Sequence, residues 1–216
     1  TQKIEAELLK EFPHAKVLRA DKDTTSKKNS FKKIYDAFKK QEADILIGTQ
    51  MIAKGLHLPN VNLVGVILAD IGLNIPDFRT AERNFQLMTQ VAGRAGRLQQ
   101  NGKVIIQTYN PSNTALLCAQ NHSYDQFSKY ERTQRKILSN PPFSQLAKIT
   151  IENKSLQNCQ KEIIKLEEKL KTLAETITNK EQIEINSYPA YIARLRGKYH
   201  HIILLKDKSQ QNLYCS

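Results

Sequence analysis

Several features that would assign a protein to a common class are missing from this sequence of 216 residues. It has three cysteines, Cys118, Cys159 and Cys215, with no Cys-x-x-Cys pair and no histidine at ligand spacing, so we expect free structural thiols and no metal site. No apolar run approaches the roughly 18 residues that cross a membrane. The first residues do not resemble a signal peptide. We therefore expect a cytoplasmic protein.

Glycine is also scarce, and none of the eight glycines belongs to a Gly-x-x-x-x-Gly-Lys-Ser/Thr loop, the Walker A sequence. In nucleotide-binding proteins the N–H groups of that loop hold the phosphates and its hydroxyl holds Mg²⁺. No acidic residue can be assigned as a Walker B ligand either. The chain by itself therefore supplies no complete ATP site.

Positive charge, in contrast, is abundant. The formal net charge is +12 and the sequence pI is about 9.6, which predicts a polyanionic partner. Nucleic acid is favoured over a membrane because the lysines are scattered along the chain and no basic amphipathic segment opens it. A lysine-rich solvated surface is the alternative.

Apolar runs of strand length alternate with helical periodicity along residues 1–110. This alternation is typical of a mainly parallel sheet covered by helices, in which the loops after the strands carry the ligand contacts. Thr49 and Asp70 follow two of the predicted strands. The predicted strands are 16–20, 45–47, 63–68 and 103–109, and the predicted helices are 4–11, 27–40, 51–54 and one from an N-cap at Thr80 to Val91.

The pattern of predicted strands and helices changes after residue 110. Residues 112–139 predict one or two helices, and Pro141-Pro142 then interrupts the pattern. A strand at 146–151, a helix with apolar residues from Ile163 to Ile177 and strands at 183–185 and 202–205 predict a small α+β domain, with the helix packed on the sheet. We divide the chain into 1–110, a helical connector at 111–142, and a C-terminal domain at 143–216 that we expect to be truncated.

Arginine and glycine are concentrated in residues 90–97. Arg94 and Arg97 lie three positions apart and so share one face of a helix. Gly93 and Gly96 remove side-chain bulk beside them. Because the guanidinium fork matches phosphate oxygens, the segment favours a phosphate site. The alternative is a surface helix that ends in a basic, glycine-containing cap.

A second basic cluster lies near the C-terminus, at Arg194, Arg196, Lys198 and Tyr199. Apolar residues on both sides predict two paired strands with Gly197 near the turn. Such a cluster can neutralise phosphates and offer an aromatic face to a base, or capture an acidic peptide. A solvated charged hairpin is the alternative.

Three segments, 47–55, 59–61 and 90–97, resemble motifs V and VI of the superfamily 2 helicases, in the same order and at a similar separation. Further segments extend the resemblance to nearly the whole chain: 19–25, 76–83, 141–143 and 188–199. Together they resemble the C-terminal part of the primosomal protein N′ family, the bacterial replication-restart helicases. The resemblance implies a second RecA-like helicase lobe followed by a small C-terminal domain.

The same resemblance implies roles for individual residues. Arg97 would be the arginine finger, Arg94 its companion, and Gln90 would help to order the site. The implied nucleotide-binding residues are Gly48, Lys54, Gly55 and Gly93. The implied DNA-binding residues are Thr24, Thr25 and Thr49, to which we add Arg194, Arg196, Lys198 and Tyr199 from the second basic cluster.

The family implies an ATP-dependent 3′ to 5′ DNA helicase that recognises stalled forks and directs primosome assembly. Its partners would be forked and single-stranded DNA, single-stranded DNA-binding protein, primosome proteins and the replicative helicase loader. ATP and Mg²⁺ would be bound by the full-length protein and zinc by its upstream part. We expect this chain alone to bind none of them and to be inactive, because Walker A and B are absent.

Two other functions stay open at this point. The chain could be a binding module without activity, which docks DNA or the acidic tail of single-stranded DNA-binding protein. A DEAD-box RNA helicase would share motifs V and VI, but it would not explain the resemblance at the C-terminal end.

Overall fold

The computed structural model describes residues 1–21, 23–25, 29–53, 60–93, 102–176 and 183–208. They form two compact units, one from Thr1–Asn74 with Ala81–Phe127 and one from Ile75–Thr80 with Ser128–Ser216. The division into 1–110, 111–142 and 143–216 stays a prediction.

In chain order the elements are α1 (Gln2–Glu11), β1 (Val17–Ala20), α2 (Ser30–Lys39), β2 (Ile45–Gly48), α3 (Gln50–Ala53), β3 (Leu63–Val66), α4 (Asp70–Leu73), α5 (Thr80–Ala92), β4 (Lys103–Ile106), α6 (Thr114–Gln120), α7 (Tyr124–Ile137), β5 (Gln145–Asn153), α8 (Leu156–Glu175), β6 (Ile183–Leu195) and β7 (Lys198–Asp207).

The first unit contains the parallel strand pairs that the sequence predicts. Strand β1 pairs with β2 from Val17 opposite Ile45 to Ala20 opposite Gly48. Strand β3 pairs with β4, and within the described residues these pairs form two separate two-stranded sheets. Each parallel connection runs through a helix, because parallel neighbours require a crossover.

Two predicted strands are shorter than expected, and one helix was missed. Strand β3 ends at Val66 where 63–68 was predicted, since Leu68 adopts a left-handed backbone with φ 56° that does not continue a strand. The short helix α4, Asp70–Leu73, follows directly. Strand β4 ends at Ile106, because the next residues turn to hydrogen-bond the start of α4.

The core of the first unit lies between helices α5, α6 and α7. Phe85 of α5 stacks on Phe127 of α7, with 4.2 Å between the ring centroids and 3° between the planes. Met88, Leu116 and Cys118 complete the buried cluster around these rings. Helix α6 begins where the Asn113 side chain accepts hydrogen bonds from two backbone N–H groups. The sequence predicted one or two helices in residues 112–139, and the structure has two, α6 and α7.

The second unit is built on an antiparallel sheet in the order β5-β7-β6. Helix α8 packs on it, as predicted, and buries Cys159 and Ile163 on the helix and Ile203 at the centre of the sheet. Ser187 of β6 donates a hydrogen bond of 2.5 Å to Glu167 of α8.

Strands β6 and β7 are much longer than the predicted 183–185 and 202–205. Central strand β7 is hydrogen-bonded on both sides, and its pairing with β6 extends both strands beyond these apolar segments to the hairpin that the sequence predicts around Gly197. The described helices include none long and apolar enough to span a membrane. The described residues also contain no group of three or more potential metal-ligating side chains.

The stacked phenylalanines give the first test. We expect Phe127→Ala to lower the free energy of unfolding by about 3 to 5 kcal/mol, because it leaves a cavity against Phe85. Tyr130→Ala on the same helix is the matched control, since Tyr130 is exposed and its loss should cost less than about 1 kcal/mol. Chemical denaturation of both variants measures the difference. Equal losses would contradict the assignment of Phe127 to the core.

Candidate nucleotide and nucleic-acid site

The carboxyl ends of β1 and β2 bring two predicted site segments to one edge. Ala20 lies opposite Gly48, so the chain leaves both strands side by side, at Asp21 and at Thr49. A Cβ atom on Gly48 would lie 2.7 Å from the Ala20 carbonyl oxygen and 2.7 Å from Cγ2 of Ile52. Glycine is therefore required here for close packing of the two strands and α3. The predicted contact of Gly48 with nucleotide stays a prediction.

The turn that follows β1 is organised by Asp21. Its Oδ1 accepts hydrogen bonds from the N–H groups of Asp23, at 3.2 Å, and Thr24, at 3.0 Å. The Thr24 hydroxyl lies 3.1 Å from the same oxygen. The Asp21 carbonyl oxygen accepts from the hydroxyl of Thr25, at 2.5 Å, and from its N–H, at 2.9 Å. One aspartate thus orders the whole turn.

The second carboxylate oxygen of Asp21 faces charged and polar groups. Thr1 donates its hydroxyl to it, and Arg19 Nε lies 3.0 Å away in an ion pair not aligned for a hydrogen bond. Arg19 also binds Glu5 at 2.7 Å. The Thr1 hydroxyl, the N–H and hydroxyl of Thr24 and the guanidinium of Arg19 lower the pKa of Asp21 to about 2, against the opposing effect of burial.

This network bears on the predicted DNA contacts of Thr24 and Thr25. The N–H and hydroxyl donors of both threonines are directed to Asp21, so a phosphate would have to replace these bonds. Thr49, on the neighbouring strand end, is exposed. All three contacts stay predictions, and Thr49 is the one whose side chain is open to solvent.

The end of α5 carries the described part of the arginine-rich segment. Gln90 is exposed in the last turn of the helix, next to the buried Val91. The N–H of Gly93 donates to the carbonyl of Thr89 at 3.0 Å and continues the helical pattern by one residue. Four predicted site residues lie outside the described residues: Lys54, Gly55, Arg94 and Arg97.

Asp70 has a structural role beside the parallel strands β3 and β4. It accepts from the Thr108 hydroxyl at 2.8 Å and from the Tyr109 N–H at 3.0 Å. Burial acts to raise the pKa of Asp70, but these hydrogen bonds outweigh it and the pKa is lowered. The carboxylate therefore fastens the end of β4 to the start of α4.

The predicted hairpin is present between β6 and β7. Arg196 and Gly197 form its turn, with φ of 51° and 79°, the backbone of a type I′ turn. Arg194 lies directly opposite Tyr199, and its guanidinium carbon is 5.3 Å from the centre of that ring. Lys198 donates to Glu152 of β5 at 2.7 Å. The structure thus brings all four predicted side chains to one hairpin end.

Glu152 is a residue of this cluster that the sequence analysis missed. It is 46 positions away from Lys198 in the sequence, and strand pairing alone places it there. The Lys198 ammonium lowers the pKa of Glu152, first by its hydrogen bond and then by its charge. The pair neutralises one of the three cations of the cluster.

Comparison with known proteins identifies the family. The helicase conserved C-terminal domain matches residues 1–99. The replication restart protein PriA of Bacillus subtilis is 43% identical over 213 residues, which are 99% of this chain and 26% of that protein. The proteins of the same name from Synechocystis sp. and Chlamydia trachomatis are 39% and 38% identical over 97% of the chain and 25% and 27% of their own lengths. The chain belongs to the PriA family of replication restart proteins.

This relationship covers both units. The helicase domain includes the β1–β2 edge and α5, and the similarity to the PriA proteins extends through the β6–β7 hairpin. The resemblance to replication-restart helicases and the α/β fold class predicted from the sequence are thereby confirmed. The chain spans about a quarter of the length of these relatives.

The Asp21 network leads to a pH-dependent test. Because the pKa of Asp21 is about 2 in the folded chain, below its ordinary value of 3.8, ionisation stabilises the fold above about pH 4. This contribution disappears as the pH falls towards 2. Asp21→Asn should therefore lower Tm at pH 7, and its difference from wild type should narrow in acid.

Thermal unfolding of wild type and Asp21→Asn from pH 7 to pH 3 measures the difference between their Tm values. The titration of the other carboxylates cancels from this difference, because both proteins contain them. Glu42→Gln, at an exposed carboxylate, is the control. A Tm difference that does not change with pH would contradict the proposed role of the ionised Asp21.

Proposed function

We propose that this chain is part of an ATP-dependent 3′ to 5′ DNA helicase that recognises stalled replication forks and directs primosome assembly. The observation that supports this best is the continuity of the similarity, which joins a helicase domain and the C-terminal hairpin in one relationship to replication restart proteins. The net charge of +12 fits a partner rich in phosphates.

In this proposal, Arg97 neutralises the charge that develops on the γ-phosphate, and Arg94 assists it. An arginine suits that role because its charge is permanent and its donors are fixed in one plane. Gln90 fits the role of an ordering residue, since its side chain is exposed on the same segment. The proposed contacts of the nucleotide are Lys54, Gly55, Gly48 and Gly93.

Thr49 fits a contact with the DNA backbone best, because it is exposed directly after a strand end. We propose that Thr24 and Thr25 join it when DNA binds, with their donors exchanged from Asp21 to phosphate. The edge formed by β1 and β2 would then connect nucleotide and DNA.

We assign ATP and Mg²⁺ to the full-length protein, acting in the bacterial cytoplasm, because this sequence has no glycine-rich phosphate loop. Zinc would be held by cysteines upstream of this chain. The proposed partners are DNA, single-stranded DNA-binding protein, primosome proteins and the loader of the replicative helicase.

The arginine finger can be tested in the full-length protein. We expect Arg97→Ala to lower DNA-stimulated ATP hydrolysis by about 10³- to 10⁵-fold, because the charge on the transferred phosphoryl group is no longer compensated. DNA affinity should change little. Arg132→Ala, at an exposed position on α7, is the matched control. Hydrolysis within about threefold of wild type would contradict the role of Arg97.

The hairpin supports a second candidate function, a binding module without activity of its own. Arg194 and Arg196 are exposed, and neither has an acidic partner in the part of the chain that the structure describes. These two arginines could bind DNA or an acidic protein tail. In this case the isolated chain would bind its partner without hydrolysing ATP.

A salt series on the 216-residue chain tests DNA binding by the hairpin. Affinity for single-stranded DNA should fall steeply with salt, and the double variant Arg194→Ala, Arg196→Ala should reduce the log–log slope by about 1.4, at roughly 0.7 for each lost phosphate contact. Lys129→Ala with Lys136→Ala, two exposed cations on α7, is the matched control. If the arginine variant keeps slope and affinity, the hairpin does not bind the DNA backbone.

A further inference from the structure

The hairpin contains a local irregularity just before its basic residues. Pro189 pairs with His201 and Arg194 pairs with Tyr199, so residues 190–193 of β6 lie opposite the single residue His200 of β7. The extra residues cannot all join the ladder, and they form a bulge. Pro189 has no N–H to donate at the point where regular pairing stops.

This bulge presents apolar side chains to solvent. Tyr191 is 67% exposed and Ile192 is 56% exposed, although both belong to a strand of a packed sheet. Bulges commonly re-aim side chains beside functional sites. Tyr191 precedes Arg194 by three residues, so their Cα atoms are at most about 11 Å apart.

Tyr199, the aromatic residue expected from the sequence to contact a base, is placed differently. It is half-buried, and the guanidinium of Arg194 lies over its ring at 5.3 Å from the centre. One face of this ring is therefore occupied by a cation–π contact. Its task is to support Arg194, and it has little free surface for stacking.

The charges of the hairpin point to the kind of ligand that the exposed ring receives. Lys198 is neutralised by Glu152, whereas the exposed Arg194 and Arg196 have no acidic partner within the described residues. Proteins bind single-stranded nucleic acid with this combination, in which cations contact the phosphates and an exposed aromatic ring stacks with a base. A base paired inside a duplex does not offer its face in this way.

We propose that Tyr191 is the side chain on which a base of single-stranded DNA stacks, while Arg194 and Arg196 bind the adjoining phosphates. Tyr199 acts as a positioning residue that holds Arg194. The proposal rests on the proposed DNA binding by the hairpin and adds which ring receives the base. It makes the bulge at 190–193 a recognition element for unpaired DNA.

The first experiment compares a short oligothymidylate with an abasic oligonucleotide of the same length, which keeps the phosphates and lacks the bases. Fluorescence anisotropy of the labelled DNA at low salt gives the affinity. For Tyr191→Ala we expect oligothymidylate affinity to fall by about 5- to 150-fold, the range for one lost stack. Affinity for the abasic strand should stay unchanged. Tyr191→Phe should bind like wild type, since it keeps a ring.

Tyr109→Ala is the matched control, because Tyr109 is an exposed tyrosine of the first unit. The salt slope of Tyr191→Ala should equal that of wild type, since stacking releases no counterions. If Tyr191→Ala loses affinity equally for both strands, or loses none, base stacking at Tyr191 is overturned. Binding of an acidic peptide that depends on Tyr191, without such dependence for DNA, would also overturn it.

These outcomes separate the inference from the function on which it rests. If the wild-type chain binds neither strand, hairpin DNA binding and stacking both fail. If the double arginine variant reduces the salt slope while Tyr191→Ala retains full affinity, only the stacking assignment fails.

A spectroscopic readout is available because the chain has no tryptophan. Tyr191→Trp introduces a single tryptophan at the bulge, which can be excited separately from the tyrosines, and its emission should be quenched by oligothymidylate and much less by the abasic strand. Tyr109→Trp should respond to neither. Equal quenching by both strands at position 191 would contradict direct stacking.

Discussion

The close approach of β1 and β2 at Ala20 and Gly48 is the constraint on which the first site depends. Any side chain at position 48 would meet both the Ala20 carbonyl oxygen and Ile52, at 2.7 Å each. With glycine there, two short parallel strands end at the same level. The Asp21 turn and Thr49 then become neighbours although they are far apart in the sequence. The strand pairing therefore creates the edge before any ligand is present.

Carboxylates decide which donors of this basic protein stay available to a polyanion. Asp21 engages the donors of the turn after β1, and Glu152 engages Lys198 in the hairpin. Arg194 and Arg196 keep their charge exposed, and Thr49 keeps its hydroxyl exposed. A net charge of +12 thus does not act as a uniform surface. Selective pairing leaves a few cations and hydroxyls in defined places, as recognition of a phosphate backbone requires.

Patterns within a few residues predict local structure well, and they fail where distant segments decide. The apolar residues Phe31, Ile34, Tyr35 and Phe38 predict helix α2, which the structure has at Ser30–Lys39. Strand β6 was predicted over 183–185, but its ladder with β7 carries it to Leu195. Hydrophobic periodicity records burial along one segment, whereas the length of a strand depends on its neighbour's hydrogen bonds.

The sequence by itself determined the family, the α/β class, the arginine-rich segment at 90–97 and the hairpin turn at Gly197, because each rests on motifs or patterns that follow the order of residues along the chain. Tertiary structure alone decided that the donors of Thr24 and Thr25 are directed to Asp21, that Lys198 is neutralised by Glu152, and that Tyr199 lies beneath Arg194 while Tyr191 is exposed. Composition and spacing show which polar groups a chain contains. Which donor meets which acceptor is decided when the strands pair.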